Sequence, residues 1–177
     1  MIKEYLEQLG INPDDPTLKG TPERVTRMFK ELIGNNGSKP PEMKMFTAAA
    51  TGEMVVVRNI KAATLCPHHL LPYSLTADFA YVPKDKTVVG ISKPARLFEW
   101  CCQRLTMQEE IATVFIETFS HFVPSQGCIL VIEGIHLCTV IRGAKQAESS
   151  TITFDSNGVF KTDDRLRKEF WQLAKRG

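Results

Sequence analysis

Two short clusters of thiols and imidazoles constrain this chain more than any other feature. Leu65-Cys66-Pro67-His68-His69-Leu70-Leu71-Pro72 carries one cysteine and two histidines, and His136-Leu137-Cys138 repeats the mixture far downstream. Histidine is scarce, with four in the chain, and three of them fall in these clusters. If the fold brings Cys138 to Cys66 and His69, a divalent metal gains two thiolates and one imidazole. A closed structural zinc site has four protein ligands, whereas three leave a coordination position open, as a catalytic zinc requires. His68 and His136 would then stand beside the metal, free to move protons. The fold must satisfy a geometric condition for this. On a regular strand Cys66 and His69 point to opposite faces, so the backbone has to turn between them, which Pro67 permits. The competing role for a free cysteine is packing. That role is assigned to Cys101, Cys102 and Cys128, and His121 is read as a filler in the same way.

The rest of the composition narrows the class. A chain of 177 residues suits one domain with room for a core, and 43% apolar with 24% charged residues is ordinary for a soluble globular protein. A net charge of +2, with bases spread among acids, gives no case for a nucleic-acid partner. No stretch resembles a signal peptide or reaches membrane-spanning length. Five cysteines without regular spacing do not form a disulfide framework, so a reducing cytoplasm fits best.

Periodicity predicts an α+β layer. Residues 2–9 read as an amphipathic helix with Ile2, Tyr5, Leu6 and Leu9 on one face. Thr21 is expected to cap a second helix with Pro22 at its first position, a buried stripe of Val25, Met28, Phe29 and Leu32, and a stop at Gly34. Residues 54–60 and 75–81 read as strands, and 88–91 as a short third. Ser92 is expected to cap a helix carrying Leu97, Trp100, Cys101 and Leu105. Thr106 is expected to cap the next, with Glu109 at the capping-box position and Ile111, Phe115, Thr118, Phe119 and Phe122 as its stripe. Residues 128–133 and 136–142 read as a hairpin turning at Gly134-Ile135. A strand over 150–154 and a helix over 163–175, with Leu166, Phe170 and Leu173 inward, complete the chain. The core order is strand, strand, helix, helix, strand, strand, which implies helices on one face of an antiparallel sheet.

Zinc held in this way can raise hydroxide from water near neutral pH and direct it at an electrophilic carbon. Two adjacent imidazoles could protonate a leaving nitrogen, so hydrolysis of a C–N bond in a nitrogen heterocycle fits. Arg24, Arg27, Lys93, Arg96, Arg142 and Lys145 come from separate segments and could together gather a polyphosphate. Glu109 could accept two N–H bonds from the amidine edge of a guanine. The expectation from the residues alone is a zinc hydrolase acting on an anionic substrate.

Several motifs in register resemble the GTP cyclohydrolase I family. They are Gly20-Thr21-Pro22-Glu23-Arg24-Val25, the Cys66 cluster, Gly90-Ile91-Ser92-Lys93-Pro94-Ala95-Arg96, Gln103-Arg104-Leu105-Thr106-Met107-Gln108-Glu109, and His136-Leu137-Cys138 running to Arg142-Gly143. Gly158-Val159-Phe160 and Arg167-Lys168-Glu169-Phe170 resemble its C-terminal end. The resemblance implies hydrolysis of the GTP imidazole ring, with formate released and 7,8-dihydroneopterin triphosphate formed. It implies the tunnelling fold, an antiparallel four-stranded sheet with two helices packed on one face. Here that fold would form a single domain, with an N-terminal helical region over 1–50 and a catalytic core over 51–177. It implies a homodecamer of two stacked pentamers, with active sites at subunit interfaces. By match, Cys66, His69 and Cys138 are the Zn2+ ligands and His68 and His136 the proton-transfer pair. Glu109, Gln108 and Ser92 would contact the purine and ribose. Lys93, Arg96, Arg142, Arg24 and Arg27 would surround the triphosphate, and the family also carries lysine where Arg27 stands. The chain departs from the family at Pro67, where glutamate is usual, at Glu110, where arginine is usual, and in Phe154-Asp155-Ser156. Two other readings compete: a tunnelling-fold relative acting on another purine or pterin, such as a 7-deazaguanine nitrile reductase, or a non-catalytic subunit that keeps zinc for stability.

Overall fold

The structure is a computed structural model that describes residues 2–50 and 52–174. Helices α1 (Ile2–Gln8) and α2 (Thr21–Ile33) lead into a short strand β1 (Met45–Thr47) and then the long strands β2 (Val55–Leu65) and β3 (Pro72–Pro83). Strand β4 (Thr87–Val89), helices α3 (Ser92–Cys102) and α4 (Gln108–Phe122), strand β5 (Ser125–His136), the single-turn helix α5 (Leu137–Val140) and strand β6 (Thr151–Ser156) follow. The described chain ends with α6 (Val159–Thr162) and α7 (Asp164–Ala174).

The main sheet has four strands in the order β2-β3-β5-β6, all antiparallel, and a second sheet pairs β1 with β4. Alternation along β3 sorts its side chains. Leu75, Ala77, Phe79 and Tyr81 enter a core with Leu97, Phe98, Phe115 and Phe119 from α3 and α4. Each of these large apolar side chains adds about 1.5–3 kcal/mol through burial. This is the antiparallel four-stranded sheet with two helices on one face that the tunnelling fold requires. The other face is covered too, at one end. Ala80, Val82, Ile129 and Val131 pack against Phe160, Leu166 and Phe170 of α6 and α7. Leu173 points outward instead, and Ala174 takes the inner position.

Two features set the register of β2. A bulge between Val57 and Ile60 is accommodated by Asn59 at φ 56°, whose amide donates to the buried Asp78 carboxylate at 2.8 Å. Below it, β2 and β3 run on to the pair Leu65 and Pro72, so residues 66–71 form the connection at that end of the sheet.

The hairpin expected at Gly134-Ile135 does not form. β5 continues straight through both residues, with Gly134 opposite Leu75 on one side and Thr151 on the other. The glycine is there for close approach, not for turning. A Cβ on Gly134 would stand 2.1 Å from the Gln108 side-chain oxygen. The strand expected over 136–142 is instead α5 and a turn. Helix starts also shift by one residue: Gly20, Ile91 and Met107 occupy the capping positions expected for Thr21, Ser92 and Thr106. α3 ends at Cys102, before Leu105, and Phe122 lies exposed at the end of α4. On α2 the expected stripe is only partly covered, with Met28 exposed. Tyr5 and Leu9 of α1 are exposed as well.

Candidate metal centre and cleft

The β2–β3 connection makes the turn that Cys66 and His69 need. The Cys66 amide donates to the Leu71 carbonyl at 2.9 Å, and the Leu70 amide returns to the Cys66 carbonyl at 2.8 Å. Leu70 takes φ 53° to close the turn. Cys138 arrives from the far side, in the single turn that follows β5. The Sγ atoms of Cys66 and Cys138 lie 4.0 Å apart, and one ligand atom each from Cys66, His69 and Cys138 all fall within 4.8 Å of one another. Cys66 is buried, Cys138 half-buried and His69 exposed, so the group faces outward.

The donor set suits zinc. Two sulfurs and one imidazole are the ligands that tetrahedral Zn2+ takes, and the fourth corner has no protein donor among the three. Partial burial raises the Cys138 thiol above its ordinary value, and the neighbouring Cys66 raises it further, with Arg142 opposing. A divalent cation held beside the Cys138 sulfur would favour its thiolate.

Beside the group lies a cleft of about 220 Å³ whose lining includes Cys66, His68, Tyr73, Gln108, Glu109, His136 and Cys138. His68 Nδ1 sits 3.5 Å from the Cys66 sulfur. His136 is held on two sides. Its ring lies flat on Tyr73, and its Nε2 meets Gln108 Oε1 at 2.8 Å. The Gln108 amide nitrogen donates to the Thr151 carbonyl at 2.8 Å and to Thr153 Oγ1 at 3.3 Å. With its nitrogen committed there, Gln108 presents oxygen to His136. Nε2 therefore carries the ring proton, and Nδ1 keeps a free lone pair. Burial lowers the pKa of His136 below the ordinary imidazole value, opposed by the Glu109 charge. Burial raises that of Tyr73, so its phenol stays neutral.

The family model for GTP cyclohydrolase I matches residues 1–175. The chain is 36% identical to GTP cyclohydrolase 1 of Streptococcus agalactiae serotype III over 99% of its own length and 95% of the relative's. It is 35% identical to GTP cyclohydrolase 1 of Caldanaerobacter subterraneus subsp. tengcongensis over 97% of this chain and 92% of the other. The chain belongs to the GTP cyclohydrolase I family. Among solved structures, the archaeosine synthase QueF-Like in the apo form aligns with a TM-score of 0.48 and 14% identity over 62% of this chain and 97% of that one.

Glu109 and its neighbour Glu110 are placed differently. Glu110, not Glu109, closes the start of α4: its carboxylate accepts from Thr106 Oγ1 at 2.7 Å and from the Met107 amide at 3.4 Å. Glu110 thus faces backward along the chain, and Glu109 faces the cleft. Glu109 also borders a wider recess of about 590 Å³ alongside Arg104 and Thr113.

The other expected binding residues do not line the cleft. Ser92, Lys93 and Arg96 lie in the first turns of the 11-residue α3, and none of them lines the cleft. Arg24 donates to the Lys19 carbonyl at 2.9 Å and to Thr21 Oγ1 at 2.6 Å, on the exposed side of α2. Arg27, Arg142 and Lys145 are exposed. Sequence reasoning missed Tyr73 entirely. In β3 it reads as one more alternating apolar residue, and nothing local marks that His136 lies opposite. No helix among the described residues is long and apolar enough to cross a membrane.

Proposed function

We propose that this chain hydrolyses the imidazole ring of GTP, releasing C8 as formate and leaving 7,8-dihydroneopterin triphosphate. The observation that carries the reading is the convergence of Cys66, His69 and Cys138 beside His68, His136 and Glu109 in one cleft. Cys66, His69 and Cys138 would hold Zn2+. When bound, zinc supplies Lewis-acid activation of water for attack on the ring carbon. The other groups orient substrate and move protons. Glu109 accepts the two N–H bonds of the guanine amidine edge. His136, protonated at Nε2 by its bond to Gln108, takes up a proton at Nδ1 and returns it to the departing ring nitrogen. His68, on the cysteine side, supplies the second proton step.

The triphosphate falls to the cations. Arg142, four residues beyond Cys138, comes from the same chain. Ser92, Lys93, Arg96, Arg24 and Arg27 do not line the cleft of their own chain, and a neighbouring subunit would present them. The sheet supports such an assembly, because its outer strands β2 and β6 both end it with open edges. On β6, Ile152 is 63% and Phe154 60% exposed, which is costly to leave in water and natural to cover with another copy. Edge-to-edge joining gives a ring, and two stacked rings give the decamer. Residues 1–50 would form the N-terminal helical region and 51–177 the catalytic core of one domain, working in the cytoplasm without a nucleic-acid or membrane partner.

The test incubates purified protein with GTP and measures formate and, after oxidation, a fluorescent pterin. Both should appear in equal amounts. Consumption of NADPH with a 7-deazaguanine nitrile, and no formate from GTP, would favour the nitrile reductase instead. GTP binding without product would favour the non-catalytic subunit.

A further inference from the structure

We propose that Tyr73 is a positioning residue for this reaction: its ring sets the plane of His136, and its hydroxyl fixes the segment that presents Gln108 and Glu109. The proposal rests on the functional reading above. Tyr73 on β3 and His136 on β5 are direct cross-strand partners. Their rings stack at 4.3 Å between centroids and 8° between planes. Stacking alone accepts both orientations related by a half-turn flip about Cβ–Cγ, and the bond from Nε2 to Gln108 selects one of them.

The hydroxyl closes the circuit. Tyr73 is 1% exposed, and a phenol at that depth needs an acceptor. It donates to the Thr106 carbonyl at 3.0 Å. Thr106 lies two residues before Gln108 and three before Glu109, and its own hydroxyl donates to Glu110 at 2.7 Å. The path therefore runs from Tyr73 through Thr106 to Gln108, on to His136, and back to Tyr73 by the stack. It joins the histidine that moves the proton to the carboxylate that holds the purine, two residues 27 apart in sequence. A phenylalanine would supply the stack and leave the Thr106 segment untied. An aliphatic residue would supply neither.

The experiment uses the full-length, zinc-loaded protein and the variants Tyr73→Phe and Tyr73→Leu. Tyr73→Phe should raise KM for GTP about 3–10-fold with kcat within about twofold, because Glu109 loses its fixed place while Gln108, still bonded to Thr151 and Thr153, keeps His136 in its own. Tyr73→Leu should lower kcat about tenfold or more at unchanged zinc content, because the imidazole loses its plane. In protein labelled with 13C at histidine Cε1, the His136 signal should carry the ring-current shift of a stacked aromatic in wild type and Tyr73→Phe, and lose it in Tyr73→Leu. Unchanged kcat and KM in both variants, with only melting temperature lowered, would overturn the positioning role. If Tyr73→Leu does not fold, Tyr73→Phe decides alone, and an unaltered KM rejects the proposal. Wild-type protein that makes no formate from GTP would sink the functional reading, a failure separable from this one by the His136 signal.

Discussion

The sulfur atoms of Cys66 and Cys138 lie 4.0 Å apart although 72 residues separate them in the chain. The strand pairing makes this meeting inevitable. β3 begins opposite the end of β5, with Tyr73 facing His136, so the turn before β3 and the turn after β5 share one end of the sheet. A pair of thiols able to ligate a metal is thus built from two connections, while the strands behind them fix their distance.

Thiol footprinting separates these two cysteines from the other three. Burial pushes the Cys101 thiol up to about 12 and the Cys128 thiol up to about 11, and it raises Cys102 well above the ordinary value. A raised thiol pKa means the protonated, unreactive form persists below that pH, so these three should resist alkylation between pH 7 and 9. In chelated protein, iodoacetamide should modify Cys138 first, because it alone of the five is not buried, and Cys66 at the cleft wall more slowly. Zinc should protect both. Mass spectrometry of the labelled peptides checks the order, and modification of Cys128 before Cys138 would contradict it.

Gly134→Ala should damage the cleft from inside the sheet. The added methyl would meet Gln108 Oε1 at 2.1 Å and the Leu75 side chain at 3.0 Å, so Gln108 must leave His136. The expected cost is about 1–3 kcal/mol in stability by overpacking. We expect kcat to fall about tenfold or more, since His136 loses its tautomer lock and with it the proton step proposed for it. Zinc content should not change. Denaturant melts, steady-state kinetics and metal analysis together test this.

Glu109 and Glu110 should separate by phenotype. Glu110→Ala removes the acceptor for Thr106 and the Met107 amide, which should lower stability by about 1 kcal/mol with a small change in KM. Glu109→Ala should leave melting temperature nearly unaltered and raise KM for GTP about tenfold or more. The reverse pattern would show that the capping and purine-facing tasks belong to the opposite residues.

What the sequence made legible follows from the range of each signal. The turn at Cys66 was readable because two ligands three apart cannot share a metal on a straight strand. The alternation of Leu75, Ala77, Phe79 and Tyr81 gave β3 directly, and the helical spacing of Ile111, Phe115 and Phe119 gave α4. Gly134 misled because a glycine between two β-rich runs looks the same whether it turns the chain or admits a neighbour. Only the position of Gln108, 26 residues earlier, distinguishes the two. Strand β1 was missed because Met45–Thr47 is three residues long and depends on β4 for its pairing. The cation set was readable as a list but not as a place. In one chain Arg24, Arg27, Lys93 and Arg96 do not line the cleft, and no local pattern records which surface a second copy would bring.

The central claim is that Cys66, His69 and Cys138 hold a zinc whose remaining position faces bound nucleotide. X-ray absorption at the zinc edge of the purified protein tests it most directly. The predicted spectrum has two sulfurs at about 2.3 Å, one imidazole nitrogen at about 2.0 Å, and one further light atom not supplied by the protein, whose signal changes when GTP is added. A zinc with four protein donors that ignores GTP, or protein that binds no zinc at all, would contradict it.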